Sequence, residues 1–228
     1  MEGRLFTFFG AIGGHGQEWI ILSHYILVIA VIFLVARAAT RKMQLVPTGS
    51  QNVMEAYIGG VVSMGADTMG EENARRYMPL IASLGLVIFV SNMVGIVPGF
   101  ESPTANINFT LSLALIVFVY YNYLGIKKNG VVAYFKHFMG PMPVLAPLMF
   151  PIEIISHLSR IISLSFRLFG SIKGDDMFTM VLLMLVPWIV PISGFFMLTA
   201  FGFLQAFIFM ILTYVYIAGS IMMEHEDH

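Results

Sequence analysis

Hydrophobic residues run through this chain in long blocks, and the polar residues collect between them. A helix needs roughly 20 consecutive apolar residues to cross a bilayer. Residues 19–39 form one such block, with His24 inside it and Arg37 near its end. Residues 79–98 and 106–126 form two more, neither holding a charged side chain. After the breaker-rich Gly140-Pro141-Met142-Pro143 a fourth block covers 145–186. A fifth covers 187–223, and no charged residue occurs between Met177 and Met223. Pro187 and Pro191 predict the bend that separates these two. A helix over 145–186 would be about 63 Å long, roughly twice the hydrocarbon thickness. It is therefore expected either to lie strongly tilted or to break at Gly170 or Gly174.

The pattern changes between the first two blocks. Pro47-Thr48-Gly49-Ser50-Gln51 reads as a helix start, with Thr48 and Gln51 at capping-box spacing. Val53, Met54, Tyr57, Ile58, Val61 and Val62 then recur with helical period. An amphipathic helix over 48–72, lying on the cytoplasmic membrane surface, is the expected element; a buried helix of a small loop domain is the alternative. The fold class is thus an all-α integral membrane protein: one membrane domain, 1–228, with five transmembrane helices and an amphipathic interfacial helix. Its last two helices are expected to form a long, strongly tilted hairpin. No internal repeat interrupts this order.

Lys and Arg cluster at Arg37, Arg41 and Lys42, at Arg75 and Arg76, and at Lys127, Lys128 and Lys136, while the short connection before Asn106 holds only Glu101. The positive-inside rule then places the N-terminus outside and the C-terminus in the cytoplasm. The first residues lack the basic start, apolar middle and cleavage site of a signal peptide and are read as retained.

Composition agrees with this reading. Of 228 residues 58% are hydrophobic and 11% charged, and mean hydropathy is +0.84, against roughly 25% charged residues in soluble domains. The chain has no cysteine, which excludes disulfides and thiolate metal sites. No Gly-rich phosphate loop and no paired His or Cys spacing occurs, so neither cofactor nor metal is expected. His225 and His228 sit in a short polar tail.

The candidate chemistry lies in the fourth block. Glu153, Arg160 and Arg167 are seven residues apart, and Ser156, His157, Ser163 and Ser171 fall on the same side, all within about 60° of Arg160 at 100° per residue. A charge at membrane depth costs about 2.5 kcal/mol on insertion scales, and an ion path is the usual reason to carry one. Arg167 cannot lose its proton. It can hold a carboxylate on another chain ionised, lowering its pKa by about 1–3 units at close range. Snorkelling is awkward for so central a residue, and Glu153 lies about 21 Å away along the axis. Arg160, one turn from His157 and two from Glu153, fits either an internal Glu153–Arg160 network or the lining of an aqueous entrance. Asp175 and Asp176 fit helix N-caps or an outer proton relay. Gln205, alone in the uncharged stretch, fits helix glue or a partner facing Arg167; Gly202 and Ala206 beside it permit close helix approach.

These residues resemble a family. Ser-Leu-Ser-Phe-Arg167-Leu-Phe-Gly170 is similar to the arginine motif of the a subunits of F-type ATP synthases. Four further segments match in order: Leu45 to Glu55, Ser91 to Pro98, Pro103 to Leu111, and Leu204 to Tyr216. The resemblance implies a stator subunit with no catalytic site of its own, whose two long tilted helices wrap a ring of c subunits. It implies further partners in the peripheral-stalk b subunits, the catalytic head and membrane lipid, none in nucleic acid, and a bacterial inner-membrane location. The arginine matching Arg167 faces the ring carboxylates and separates two aqueous half-channels for protons. Glu153, Arg160 and Gln205 fall on polar channel positions and Asn92 on the family's Asn-containing motif. This chain departs from the pattern at Ser171, where the family commonly has Asn, at Asn106, where many members have Asp, and at Leu198, where some have His or an acid. Asp175 and Asp176 are then left for the outer half-channel. An independent secondary transporter is the competing reading, but such proteins usually show repeated halves, and here only the C-terminal half carries the charged stripe.

Overall fold

The structure, a computed structural model, describes residues 17–41, 43–46, 49–97, 99–130, 134, 146–185 and 190–221. Expectations placed on Thr48, Pro187, the first residues and the tail with His225 and His228 lie outside the described residues. Helices are α1 (Gln17–Thr40), α2 (Ser50–Met69), α3 (Glu71–Ile96), a 3-10 turn (Pro103–Ala105), α4 (Ile107–Asn129), α5 (Ala146–Leu185) and α6 (Val190–Ile221). No strand occurs among the described residues. Five helices are long and apolar enough to cross a membrane: Trp19–Thr40, Glu71–Ile96, Ile107–Asn129, Met149–Leu182 and Gly194–Ile221. The all-α membrane architecture with five such helices is therefore present.

Two elements differ from their sequence expectation. The second crossing begins at Glu71, well before Pro79, because helix formation does not wait for the apolar run. Gly70, at φ 81, ends α2 and starts α3 in one residue, a conformation that costs glycine little. Glu71 and Glu72 then occupy the positive end of the new helix, and Glu71 pairs with Arg75 at 2.8 Å. The start of α2 differs too. Its N-cap is Gly49, with no side-chain cap, and Gln51 reaches back instead. Its Oε1 accepts from Gln44 N–H, and its amide donates to Gln44 O and to Glu55 Oε1.

The patterned face of α2 lies against protein at Val61 and Val62, while Val53 is exposed. The helix packs on α3 and α6. Tyr57 donates a hydrogen bond to Ala82 O at 2.7 Å; burial pushes its phenol up to about 12, so it stays a donor. Gly65 allows a close approach in this corner. A Cβ there would stand 2.5 Å from the Tyr214 ring.

The centre of the bundle is α6, which touches α2, α3, α4 and α5. Contacts Ala74–Tyr214 and Asn92–Gly202 set α3 antiparallel to α6. Thr110–Ser165 and Tyr121–His157 set α4 antiparallel to α5. Lys128 and Asn129 donate to the last carbonyls of α6, at Ile221 and Ser220. The starts of α1 and α6 therefore share one end of the bundle, where His24 meets Glu101 and Gly202 meets Asn92, and Ile221 lies at the other. Arg75, Arg76, Lys127 and Lys128 gather at the Ile221 end. In lipid, where apolar burial between helices brings little, such close contacts and buried hydrogen bonds hold the bundle.

Candidate ion path on the open face of α5

Helix α5 runs unbroken through Gly170 and Gly174. Its length matches the long fourth block, and the glycines bend nothing into a break. The continuity also settles Asp175 and Asp176: they are interior to the helix and cannot be N-caps of a new one. Only α4 and α6 flank α5 closely among the helices, and just 17% of its membrane-length window is buried. Leu164, Ser165, Leu168 and Ile172 face the bundle. Ile162, Ser163, Phe166, Arg167, Gly170 and Gly174 are exposed.

The polar stripe is about 120° wide, so it straddles the boundary between packed and open faces. Arg167 lies on the open side, and the ion pairs among the described residues are Arg75–Glu71, His157–Glu153 and Lys173–Glu101, none of which includes it. His157 lies on the packed side, 5% exposed. Its Nδ1 meets the Tyr121 hydroxyl at 2.8 Å, the two rings stack, and Nε2 stands 3.3 Å from Glu153 Oε1. That last contact has ion-pair distance without hydrogen-bond alignment. Glu153 is thus joined to His157 and not to Arg160 among the described residues. Arg160 instead places its guanidinium 5.7 Å from the centre of the Tyr216 ring, within cation–π range. Ser156 is half-buried beside this group.

A second group lies toward the other end. Lys173 Nζ is 3.9 Å from Glu101 Oε1. Glu101 N–H donates to His24 Nε2 at 3.0 Å, while His24 Nδ1 lies 2.6 Å from Ile20 O; those partners assign the proton to Nδ1. Asp176 is within electrostatic reach of Lys173 and Glu101. Asp175 has one buried carboxylate oxygen without a hydrogen-bond partner. Ser171 bonds within its own helix, to Leu168 O. Along the axis Arg167 lies about 11 Å from Arg160, seven residues away, and about 12 Å from Asp175, eight residues away.

Gln205 is buried on α6, and no hydrogen bond joins it to Arg167 among the described residues. The helix that carries it is fixed one turn away. Asn92 donates to Gly202 O at 3.0 Å, accepts from Thr104 Oγ1 at 2.6 Å, and Thr104 shares a hydrogen bond with Ser102, which donates to Ser91 O. All four side chains are buried. Asn106 caps α4, its side chain accepting from Asn108 N–H. Leu198 is half-buried on α6. Asn92→Leu will remove both amide bonds and leave Thr104 without its acceptor, at a cost of about 1–3 kcal/mol. The expected result is a several-degree fall in the temperature at which the purified assembly releases this subunit, read on gels after stepwise heating.

Sequence reasoning found the α5 stripe and missed the partners that complete it. Tyr121, Tyr216, His24 and Glu101 come from elsewhere in the chain, and Lys173 from α5 itself. The local signal was slight: a histidine inside an apolar block, and a lone acid in a short connection.

A bundle of five membrane-length helices, with an arginine on the open face of α5 that has no ion pair among the described residues, defines a polytopic membrane protein. The comparisons narrow the class. Residues 21–218 match the ATP synthase A chain family. The chain is 86% identical to ATP synthase subunit a of Aliarcobacter butzleri, over the full length of both. It is 62% identical to that of Nitratiruptor sp., again over both full lengths, and 56% to that of Sulfurimonas denitrificans, over 98% of this chain and all of the relative. The chain belongs to the ATP synthase A chain family, as the five sequence segments indicated.

Proposed function

We propose that this chain is the proton-translocating stator subunit of an F-type ATP synthase, forming two aqueous half-channels against a ring of c subunits. The observation that carries the reading is Arg167: a permanent charge on the open face of α5, between the two polar groups and without an ion pair among the described residues. A charge left unpaired at membrane depth needs a counter-charge from outside the chain. The carboxylates of a passing ring supply it.

The sequence of events follows from charge alone. Near Arg167 a ring carboxylate is held ionised. Moving away, it takes a proton from one polar group and rides protonated through lipid. Approaching from the other side, it must release that proton before it can face the arginine again. Glu153, Ser156, His157, Arg160 and Ser163 serve one half-channel; Asp175, Asp176 and Ser171 serve the other, with Asn92 and Asn106 flanking it and Gln205 opposite Arg167. Each elementary charge crossing 100 mV releases about 2.3 kcal/mol, which rotation passes to the catalytic head held by the peripheral stalk. The basic cluster at the Ile221 end supports a cytoplasmic C-terminus, and Glu101 at the other end an external N-terminus, in a bacterial inner membrane.

Cross-linking tests the interface. The chain has no cysteine of its own. Ile162→Cys and Phe166→Cys, on the open face, will form disulfides with cysteines placed in the ring, whereas Leu164→Cys and Leu168→Cys will not. Equal yields from both sets would sink the proposed ring-facing surface.

A further inference from the structure

Helices α3 and α4 follow one another in sequence and both pack on α6, yet they hardly touch each other. Between them lies an open furrow of about 620 Å³. Leu80 forms one wall, and Leu115, Ile116 and Val119 the other. All four belong to membrane-length helices, so the furrow opens toward hydrocarbon.

Its foot is different. Tyr120 and Tyr123 line it there, at the Ile221 end of the bundle. Lys127 holds its ammonium 5.9 Å from the Tyr123 ring centre, and the Arg76 guanidinium stands 6.0 Å from that of Tyr77, within electrostatic reach of Tyr120. Neighbouring Arg75 is neutralised by Glu71. Among the described residues neither Arg76 nor Lys127 has a carboxylate at ion-pair distance. Two uncompensated cations and two tyrosines at the mouth of an apolar furrow match an amphiphile with an anionic head and a hydrocarbon tail.

We propose that the α3–α4 furrow is a binding site for an anionic phospholipid. The phosphate sits between Arg76 and Lys127, beside the Tyr120 and Tyr123 hydroxyls, and one acyl chain lies along Leu80, Leu115, Ile116 and Val119. The site is separate from the α5 face and depends only on the chain's spanning a membrane. A transmembrane helix of another subunit would fill the apolar walls but leave both cations uncompensated, and the charge decides for the lipid.

The test uses the intact complex in vesicles doped with phosphatidylglycerol or phosphatidylcholine carrying a photoreactive group in one acyl chain, with labelled peptides read by mass spectrometry. One basic residue near the surface favours an anionic lipid by about fivefold, so the pair gives roughly 25-fold. Labelling of the Leu115–Tyr123 segment is expected to prefer the anionic probe by that order. The double change Arg76→Gln with Lys127→Gln will bring the ratio near one, and Val119→Trp, which fills the furrow, will lower labelling by both probes. Equal labelling of the unaltered protein by the two probes overturns the proposal. So does the absence of label together with a cross-link from Val119 to a partner subunit's helix.

Discussion

Arg167→Ala in the intact complex will abolish ATP-driven acidification of inverted membrane vesicles while the subunit stays assembled. Both halves of that result follow from the position of the side chain. It is exposed and unpaired within the described residues, so its loss breaks no internal contact, and alanine is the better helix former. Stability should change by no more than about 0.5 kcal/mol, as for other exposed positions. Pumping is another matter. Without a fixed positive charge between the two polar groups, nothing compels a ring carboxylate to give up its proton there. Arg167→Lys will not restore full pumping, since an ammonium can lose its proton where a guanidinium cannot. Acidification would be followed by dye quenching, with the subunit quantified in the same vesicles. Normal acidification in the alanine variant would remove Arg167 from the mechanism and leave the open face of α5 unexplained.

The second large effect is expected far from that face. Gly65→Val will deplete the subunit from the assembled complex, because the new Cβ would meet the Tyr214 ring at 2.5 Å and Ala74 Cβ at 2.9 Å. Neither neighbour can yield. Tyr214 is fully buried, and its hydroxyl lies 3.5 Å from Ala74 O. Relief requires α2 to part from α3 and α6, at about 1–3 kcal/mol or more. Gly60→Val supplies the control, since nothing lies within 4 Å of that position and the change in helix propensity is the same. Subunit content of the purified complex separates the two. Equal retention would mean that α2 can leave the bundle without consequence.

What could be read in advance, and what could not, divides by distance along the chain. Membrane-length helices were legible because hydrocarbon thickness imposes its own period on the sequence. The α5 stripe was legible because Glu153, Arg160 and Arg167 share one helix and its angular arithmetic. The division of that stripe was not. Whether His157 turns toward Tyr121 or toward lipid depends on where α4 packs, and that contact spans 36 residues. Glu153 and Arg160 lie two turns apart and seemed natural partners, yet His157 and the Tyr216 ring take their places. The bond from Asn92 to Gly202 spans 110 residues, although both residues had drawn notice for other reasons. The Gln51 side chain reaches the Gln44 backbone across seven residues, a contact that helical spacing does not announce.

The two glycines on the open face of α5 leave their neighbourhood bare. Among the described residues no other part of the chain comes within 4 Å of a Cβ at Gly170 or Gly174, and each costs about 1 kcal/mol of helix stability relative to alanine. In the proposed assembly this strip lets the ring's surface close onto the α5 backbone right beside Arg167, squeezing out the water that a longer side chain would prop open. The arginine is then set in a gasket. Ions on its two sides have no wet route past one another, and the gradient cannot drain except by turning the rotor.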